Sequence, residues 1–559
     1  MGLNDIKMRF GRWTRAMVLA LGLGGTAVVG MGFATDYFEI SKNLDIFISV
    51  YGELHSYYVD ETNPGELMKT GIEAMLASLD PYTNYIPESD IEDYRFMTTG
   101  QYGGIGALIR TRGKEVIVAE SYEGFASDKA GLLPGDVILQ INGKSTEGKD
   151  TEDVSKALKG QPGSEVKLLV KRPGQDKPFT VNVKREEIKI NSVPYHAMLE
   201  GDVGYINLSS FTESCTKDVY KALTELKGKG MKKLVLDLRG NPGGLLNEAV
   251  SMSNLFVNKG EMVVSTRGKV EEWNKVYHAT SAPAEKDMPV AVLVNRGSAS
   301  ASEIVAGVLQ DLDRGIVVGE RTYGKGLVQT TRPLSYNSQL KVTTAKYYIP
   351  SGRCIQAINY ADHNEDGSVA KVPDSLRVAH KTRAGRTVYD GGGIEPDVAI
   401  SPMQLSDIAF SLGEKFIIFD FATQYRQKHE TLPGGMDFKV DDALYNEFVQ
   451  FIDGKDYDYT TESEHIMEDL KEAATEEKYF GRAEAEYKAL LDKLKHNKTE
   501  DVKIFKDEIV DLLQAEIISR YFYQRGRIAS MLQRDREVQS AVDALKDEAR
   551  YKGLLSGKK

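Results

Sequence analysis

The sequence predicts a multidomain α/β protein with helical regions at both ends. Three observations carry that reading. Between residues 191 and 402, apolar runs of strand length alternate with stretches of helical periodicity, the order that builds a mixed α/β core. A glycine-rich stretch dense in short strands precedes it, and helical patterns broken by charged runs follow it. At 559 residues the chain has room for about three or four domains. We divide it into residues 1–35, 36–99, 100–187, 188–402 and 403–559.

The N-terminal segment reads as a targeting element. Lys7, Arg9, Arg12 and Arg15 precede an uncharged stretch over residues 16–33, the order of a secretory signal or a signal anchor with its positive side in the cytoplasm. Gly32-Phe33-Ala34 leaves cleavage open, and eighteen residues are marginal for a membrane helix. The expectation is export, either to the periplasm or as a protein anchored in the cytoplasmic membrane and facing the periplasm. Residues 36–99 are helical by pattern, with Leu67, Ile72, Met75 and Leu76 near one face and a turn over Leu79-Asp80-Pro81-Tyr82-Thr83.

In residues 100–187, Tyr102-Gly103-Gly104-Ile105-Gly106 precedes a strand. The run from Gly131 through Pro134-Gly135-Asp136 leads into Leu139-Gln140-Ile141-Asn142-Gly143, and residues 154–158 fit a short helix. In the core, Lys232-Lys233 leads into a strand over residues 234–238, and Arg239-Gly240-Asn241-Pro242-Gly243-Gly244 turns it into a helical pattern from about Leu245. A trypsin-like GDSGG nucleophile loop is excluded there, because Pro242 stands where the serine would be.

The most informative stretch is residues 295–329. Val290 to Val294 is an apolar run suited to a strand buried on both faces, and Asn295-Arg296-Gly297 supplies the following turn. Ile304, Val305, Val308, Leu309 and Leu312 then recur at helical spacing, so a helix starts near Ala301 with Ser300 at its N-terminus. Unpaired N–H groups and the helix dipole at that point stabilise an oxyanion. Ser300 followed by Glu303 also has the spacing of a capping box. Residues 316–318 form another buried strand, after which Gly324 and Gly326 strip side-chain bulk from around Lys325. A serine hydroxyl needs a base, and a lysine serves only where burial disfavours its charged form. Gln329 shares a face with Lys325 in either regular structure, about 6 Å away in a helical turn or about 13 Å in a strand. Direct contact between them favours the compact turn. An amide there orients a neutral amine without recharging it.

The segments GSASASEI, residues 297–304, and YGKGLVQ, residues 323–329, strongly resemble those of the carboxyl-terminal processing peptidases, or tail-specific proteases. The resemblance implies Ser300 as nucleophile, Lys325 as general base and Gln329 as its partner, with Ser298 and Ser302 as neighbours. Residues 237–244 resemble the DLRxNxGG turn of that family, which implies an oxyanion-hole N–H at Gly243 or Gly244 beside the one at Ala301. Residues 347–353 and 391–398 also resemble family segments. Asp311 lies about 16 Å along the helix from Ser300 and reads as structural.

Residues 100–187 resemble a PDZ domain of the bacterial-protease arrangement. This implies that the backbone at Gly103, Gly104, Ile105 and Gly106 receives a peptide's terminal carboxylate, beside an apolar pocket at Ile105 and Leu158. The resemblance further implies a core spiral related to the crotonase and Clp folds, and an N-terminal helical region that dimerises and caps the site, giving a homodimer or higher oligomer.

Other classes find little support. A net charge of -11 and a pI near 5.5 argue against a nucleic-acid surface. Eight histidines include no His-x-x-x-His pair and the two cysteines, Cys215 and Cys354, no Cys-x-x-Cys, which leaves a zinc hydrolase without ligands. Asp362-x-Asn364-x-Asp366-Gly367 imitates the opening of a calcium loop, but its twelfth position is Pro373, so it reads as a polar turn. The expectation is an exported serine endopeptidase with a Ser-Lys dyad, no cofactor, and protein substrates with free, apolar C-termini. A catalytically silent PDZ scaffold and a substrate-delivery protein are the alternatives.

Overall fold

The computed structural model describes residues 37–363 and 369–557. The apolar run at 16–33 and the polar turn at 364–367 lie outside them. Among the described residues no helix is long and apolar enough to cross a membrane. The chain forms two compact units, residues 1–85 and 86–559.

In the first unit, helices cover residues 37–57 and Pro64–Ala77. Asn63 caps the second, its side chain accepting the Gly65 N–H at 3.0 Å, with proline at the start of the helix where no donor is missed. Of the four residues expected on one face, Leu76 is buried, Leu67 and Ile72 are half-buried, and Met75 is 61 % exposed. The turn that follows is closed by Asp80, whose carboxylate accepts the Tyr82 and Thr83 N–H groups at 2.8 Å.

The second unit begins with the helix Ile91–Thr99 and then the strand Gln101–Gly104, which pairs antiparallel with Glu186–Lys189. The segment read as a loop before a strand is thus partly a strand itself, because the chain returning from the inserted domain offers it a ladder partner. Between these two strands lies an antiparallel sheet in the order Ala107–Arg112, Glu115–Ser121, Val137–Ile141, Glu165–Lys171, Phe179–Lys184. Val166, Leu168 and Val170 alternate inward along their strand and pack with Ile138, Val154 and Leu158, the last two from the helix Thr151–Leu158. Asp136, wholly buried, is held by Arg172 through contacts of 2.7 Å and accepts the Leu133 N–H at 2.9 Å, fixing the Gly-Asp turn.

The core sheet runs Tyr195–Met198, Val203–Asn207, Lys233–Asp237, Val290–Val294, Ile316–Gly319, Val398–Ala399, parallel throughout except for the first pair. Every residue of Val290–Val294 is buried, as an unbroken apolar run requires. Cys215–Gly228, Leu246–Asn254 and Ala301–Asp311 cover one face. The other face is covered by helices from the far end of the chain: Val538, Ala541, Val542 and Leu545 of Arg536–Lys546, with Tyr551 of Glu548–Ser556, pack on Tyr205, Val235, Leu293 and Val318. A smaller sheet includes Met262–Gly268, Lys275–His278, Leu327–Pro333 and Gln339–Tyr348. Cys215 and Cys354 are both free.

Helices between residues 407 and 522 build a separate helical core around Leu412, Phe421, Phe448, Ile509, Leu513 and Ile517. Its long element Lys506–Leu532 kinks at Phe522 and Tyr523, the latter at φ 54°. At that kink it meets the inserted domain, with Tyr523 donating to Asp128 at 2.7 Å and Arg527 pairing with Glu120 at 2.9 Å.

Candidate active site

Two turns meet where the adjacent parallel strands Lys233–Asp237 and Val290–Val294 end, the usual place for a site in an open α/β sheet. They are stitched together. Asn295 Oδ1 accepts the Gly240 N–H at 2.9 Å, Ser298 Oγ donates to the Leu238 carbonyl at 2.8 Å, and the Ala299 N–H and Ser302 Oγ donate to the Asn241 carbonyl at 3.0 and 2.9 Å. Ser298 and Ser302 are wholly buried in these bonds, which makes them structural neighbours of Ser300.

Ser300 precedes the helix Ala301–Asp311 with φ 53° and ψ -112°, a conformation that costs a non-glycine residue on the order of 1–3 kcal/mol. The surroundings enforce it. Gly243, at φ +96°, lies so close that an added Cβ would sit 2.6 Å from the Ala299 carbonyl and 2.8 Å from both Ala301 N and Ser300 Cβ. Gly244 lies as close to Phe211, whose carbonyl an added Cβ would meet at 2.3 Å. The Gly243 N–H rests on Asn241 Oδ1 at 2.9 Å, whereas the Gly244 and Ala301 N–H groups have no intrachain acceptor among the described residues.

Glu303 does more than cap. Wholly buried, its carboxylate accepts the Ser300 N–H at 2.9 Å, the Thr322 hydroxyl at 2.5 Å, the Gly324 N–H at 2.7 Å and the Lys325 N–H at 2.9 Å. One side chain thus fastens the serine turn to the lysine loop. Burial pushes its pKa up to about 7 against the pull of those four bonds. The buried Tyr347 hydroxyl makes a second link, lying 2.7 Å from the Lys325 carbonyl and 3.2 Å from that of Ser300. Burial, and the Glu303 charge after it, hold this phenol well above its ordinary range, so it stays a donor. The Tyr323 N–H, on the Ser298 carbonyl at 3.1 Å, makes a third.

Gln329 corrects one expectation. It lies not in a helical turn but in the strand Leu327–Pro333, paired with Gln339–Tyr348, where the register shifts between Val328 and Gln329. Its amide nitrogen donates to Thr343 Oγ1 at 3.2 Å. The strand wins because a complete ladder partner, remote in sequence, satisfies its backbone. Gly324, at φ +87°, and Gly326, whose N–H is held by Gln356 Oε1 at 2.6 Å, turn the chain into it. Asp311 is bound to Arg353 at 2.8 Å and to the Ser351 N–H at 2.9 Å, a buried structural pair.

In the inserted domain, the edge strand Ala107–Arg112 and the helix Thr151–Leu158 flank a small cavity of about 40 Å³ lined by Tyr102, Ile105, Ala107, Ile109, Ser155, Leu158 and Lys159. The Tyr102 ring stacks edge-on to Phe96 at 5.0 Å. Gly103 and Gly104 sit in the strand pairing with Glu186–Lys189, and the Gly103 carbonyl accepts the Gly160 N–H at 3.0 Å.

Residues 202–366 match the description "Peptidase family S41", residues 117–172 "PDZ domain", and residues 408–545 "Probable PDZ-protease, C-terminal helical domain". A carboxy-terminal-processing protease of Bartonella bacilliformis is 39 % identical over 321 residues, covering 57 % of this chain and 73 % of that protein. A probable CtpA-like serine protease of Staphylococcus aureus is 38 % identical over 315 residues, covering 56 % of this chain and 62 % of that protein. Among solved structures, the photosystem II D1 C-terminal processing protease aligns over 64 % of this chain and 93 % of its own at 30 % identity, with a TM-score of 0.35. The chain therefore belongs to peptidase family S41, as a serine protease of the carboxy-terminal-processing group with an inserted PDZ domain and a C-terminal helical domain.

Proposed function

We propose that the chain is an endopeptidase working through a Ser300–Lys325 dyad on proteins captured by their C-terminal tails. The observation that carries this reading is the double fastening of Ser300 and Lys325 by Glu303 and Tyr347. In the reaction, Ser300 Oγ attacks the scissile carbonyl carbon while its proton passes to Lys325 Nζ. The carbonyl oxygen becomes an oxyanion received by the Ala301 N–H and one from the glycine turn. Of Gly243 and Gly244, the latter is favoured, its N–H being without an intrachain acceptor. Collapse of the intermediate breaks the peptide bond, the leaving amine takes the proton from Lys325, and water then releases the acyl group. Gln329, with its amide nitrogen on Thr343, offers its oxygen to orient the lysine. No step requires a cofactor. We also read the core as a crotonase/Clp-like spiral, and the N-terminal helices as a self-association surface that makes the chain at least a dimer.

Tail capture is assigned to the groove beside Ala107–Arg112, whose free edge suits strand pairing with a peptide. Backbone N–H groups of the Gly103, Gly104, Ile105 and Gly106 segment would hold the terminal carboxylate. One unfolded protein with an apolar tail should be cleaved at least about tenfold faster at low concentration than versions ending in an amide or in two aspartates, since each charge-assisted bond lost is worth roughly 1.5–3 kcal/mol. Equal rates for all three substrates would refute tail recognition while leaving the dyad untouched.

The same reading places the catalytic domain outside the cytoplasmic membrane, on the strength of the basic segment before residues 16–33. Protease added to spheroplasts should degrade it. Protection until the membrane is broken would rule out export.

A further inference from the structure

Arg239 opens the glycine turn, and its guanidinium is surrounded by three carboxylates drawn from two distant parts of the chain. Nη2 lies 2.6 Å from Asp237 Oδ2 and 2.8 Å from Asp535 Oδ2, Nε is 3.0 Å from Asp237 Oδ1, and Nη1 is 2.5 Å from Glu537 Oε2. The group is only 16 % exposed. Asp237 is itself fixed by the Tyr205 hydroxyl at 2.7 Å. Asp535 caps the helix Arg536–Lys546, one oxygen accepting the Glu537 and Val538 N–H groups at 2.9 and 3.0 Å while the other faces Arg239. That helix is seated on the core sheet by Val538, Ala541, Val542 and Leu545.

The C-terminal helix thus grips the first side chain of the turn that carries Gly243 and Gly244. The fastenings of that turn named above run sideways to the serine turn, and Asn241 Nδ2 on the Leu208 carbonyl at 2.8 Å and the Phe211 N–H on the Gly243 carbonyl at 2.9 Å tie it to the core beside it. Arg239 alone among these fastenings ties it to the opposite face of the sheet, and it does so with buried, multiply charged contacts, which are much stiffer than exposed ion pairs. An oxyanion donor acts only when it stands within hydrogen-bond reach of an atom that exists in the transition state. A turn free to drift by a fraction of an ångström therefore loses rate more than substrate binding.

We propose that Asp535 and Glu537 are positioning residues for the active site, acting through Arg239 to hold the glycine turn against Ser300. The inference rests on the assignment of Ser300 and the glycine turn above. In the full chain, the double variant D535N/E537Q keeps the helix cap, because asparagine also caps. Its kcat should fall tenfold or more with KM changed less than twofold. Asp535→Asn and Glu537→Gln measured singly give intermediate losses if the pair folds poorly. Val542→Ala, which loosens the same helix without touching the clamp, should lower the unfolding temperature and leave kcat within twofold. Restoring one carboxylate, by comparing the double variant with either single, should recover part of kcat.

Wild-type kcat in the double variant overturns the clamp, and so does an equal loss of kcat in Val542→Ala, which would mean that the helix contributes stability alone. Ser300→Ala measured alongside separates the two levels: if it is inactive, the site assignment stands whichever way the clamp variants behave. Residual turnover by Ser300→Ala would instead remove the site on which the clamp is said to act.

Discussion

Lys325→Arg is expected to leave the protein folded and inactive, with cleavage of an unfolded substrate reduced by at least about a thousandfold, the upper part of what one positioned base and its nucleophile contribute. The substitution keeps the positive charge, so a role in holding substrate carboxylates by charge alone would survive it. Arginine does not shed its proton near neutral pH and has no free lone pair with which to take one from Ser300. The backbone at this position is tied through the Lys325 N–H to Glu303 and the Lys325 carbonyl to Tyr347, both independent of the side chain. The variant thus tests the base rather than the loop. Ser300→Ala should be equally inactive. Turnover by the arginine variant at even a tenth of the wild-type rate would exclude Lys325 as the base.

Glu303→Gln should cost about a hundredfold in kcat. Four donors converge on the carboxylate, and an amide offers a donor of its own to at least one of them. One lost charge-assisted bond of roughly 1.5–3 kcal/mol corresponds to about 10- to 100-fold if it is expressed in the placement of Ser300 and Lys325. The pH dependence of stability gives an independent check. Burial raises the folded-state pKa from the ordinary 4.5 to about 7, so the folded chain binds this proton more tightly than the unfolded one. The resulting stabilisation is complete below pH 4.5 and is lost as pH rises towards 7. Thermal unfolding of wild type and Glu303→Gln across that window should show the wild type losing stability relative to the variant as pH increases. A constant difference would mean that Glu303 is ionised in the folded protein throughout. Activity should move the opposite way, rising with pH as the carboxylate ionises and can accept all four bonds.

The place of Ser300 was legible because three local signals agree: an apolar strand run, a polar turn and a helix with inward residues at its own period. The crowding on either side of Lys325 was legible in its flanking glycines: an added Cβ at Gly324 would meet Ala357 Cβ at 2.4 Å, and one at Gly326 would meet Gln356 N at 2.8 Å. Gln329 was misread because a four-residue spacing fits a helical turn and a strand alike, and the choice was made by Gln339–Tyr348, a partner no local pattern announces. Glu303 looked like a cap because three of its four donors, at Thr322, Gly324 and Lys325, come from a loop 19 to 22 residues further on. The helix Arg536–Lys546 carries a plain apolar stripe, but nothing in that stripe says that it packs on Tyr205, Val235, Leu293 and Val318, all more than two hundred residues earlier. Strand ladders and buried charge clusters are long-range choices, and one sequence read locally holds only half of each.

The side-by-side pairing of Gln101–Gly104 with Glu186–Lys189 bears on how such a molecule changes over evolutionary time. Neighbouring strands lie roughly 4.8 Å apart, so the two ends of the intervening stretch emerge almost at one point. A short turn could join them without disturbing either flank, and a longer or different module could occupy the gap as easily. Beside the Glu120–Arg527 and Asp128–Tyr523 contacts, that module meets the helical domain through pairs of a replaceable kind. Arg112 with Asp420 and Arg525 with Glu123 are partly exposed ion pairs, the kind that surfaces lose and regain at little energetic consequence. The inserted domain therefore joins the core at a single narrow neck, where a change in its length leaves both flanking strands in place.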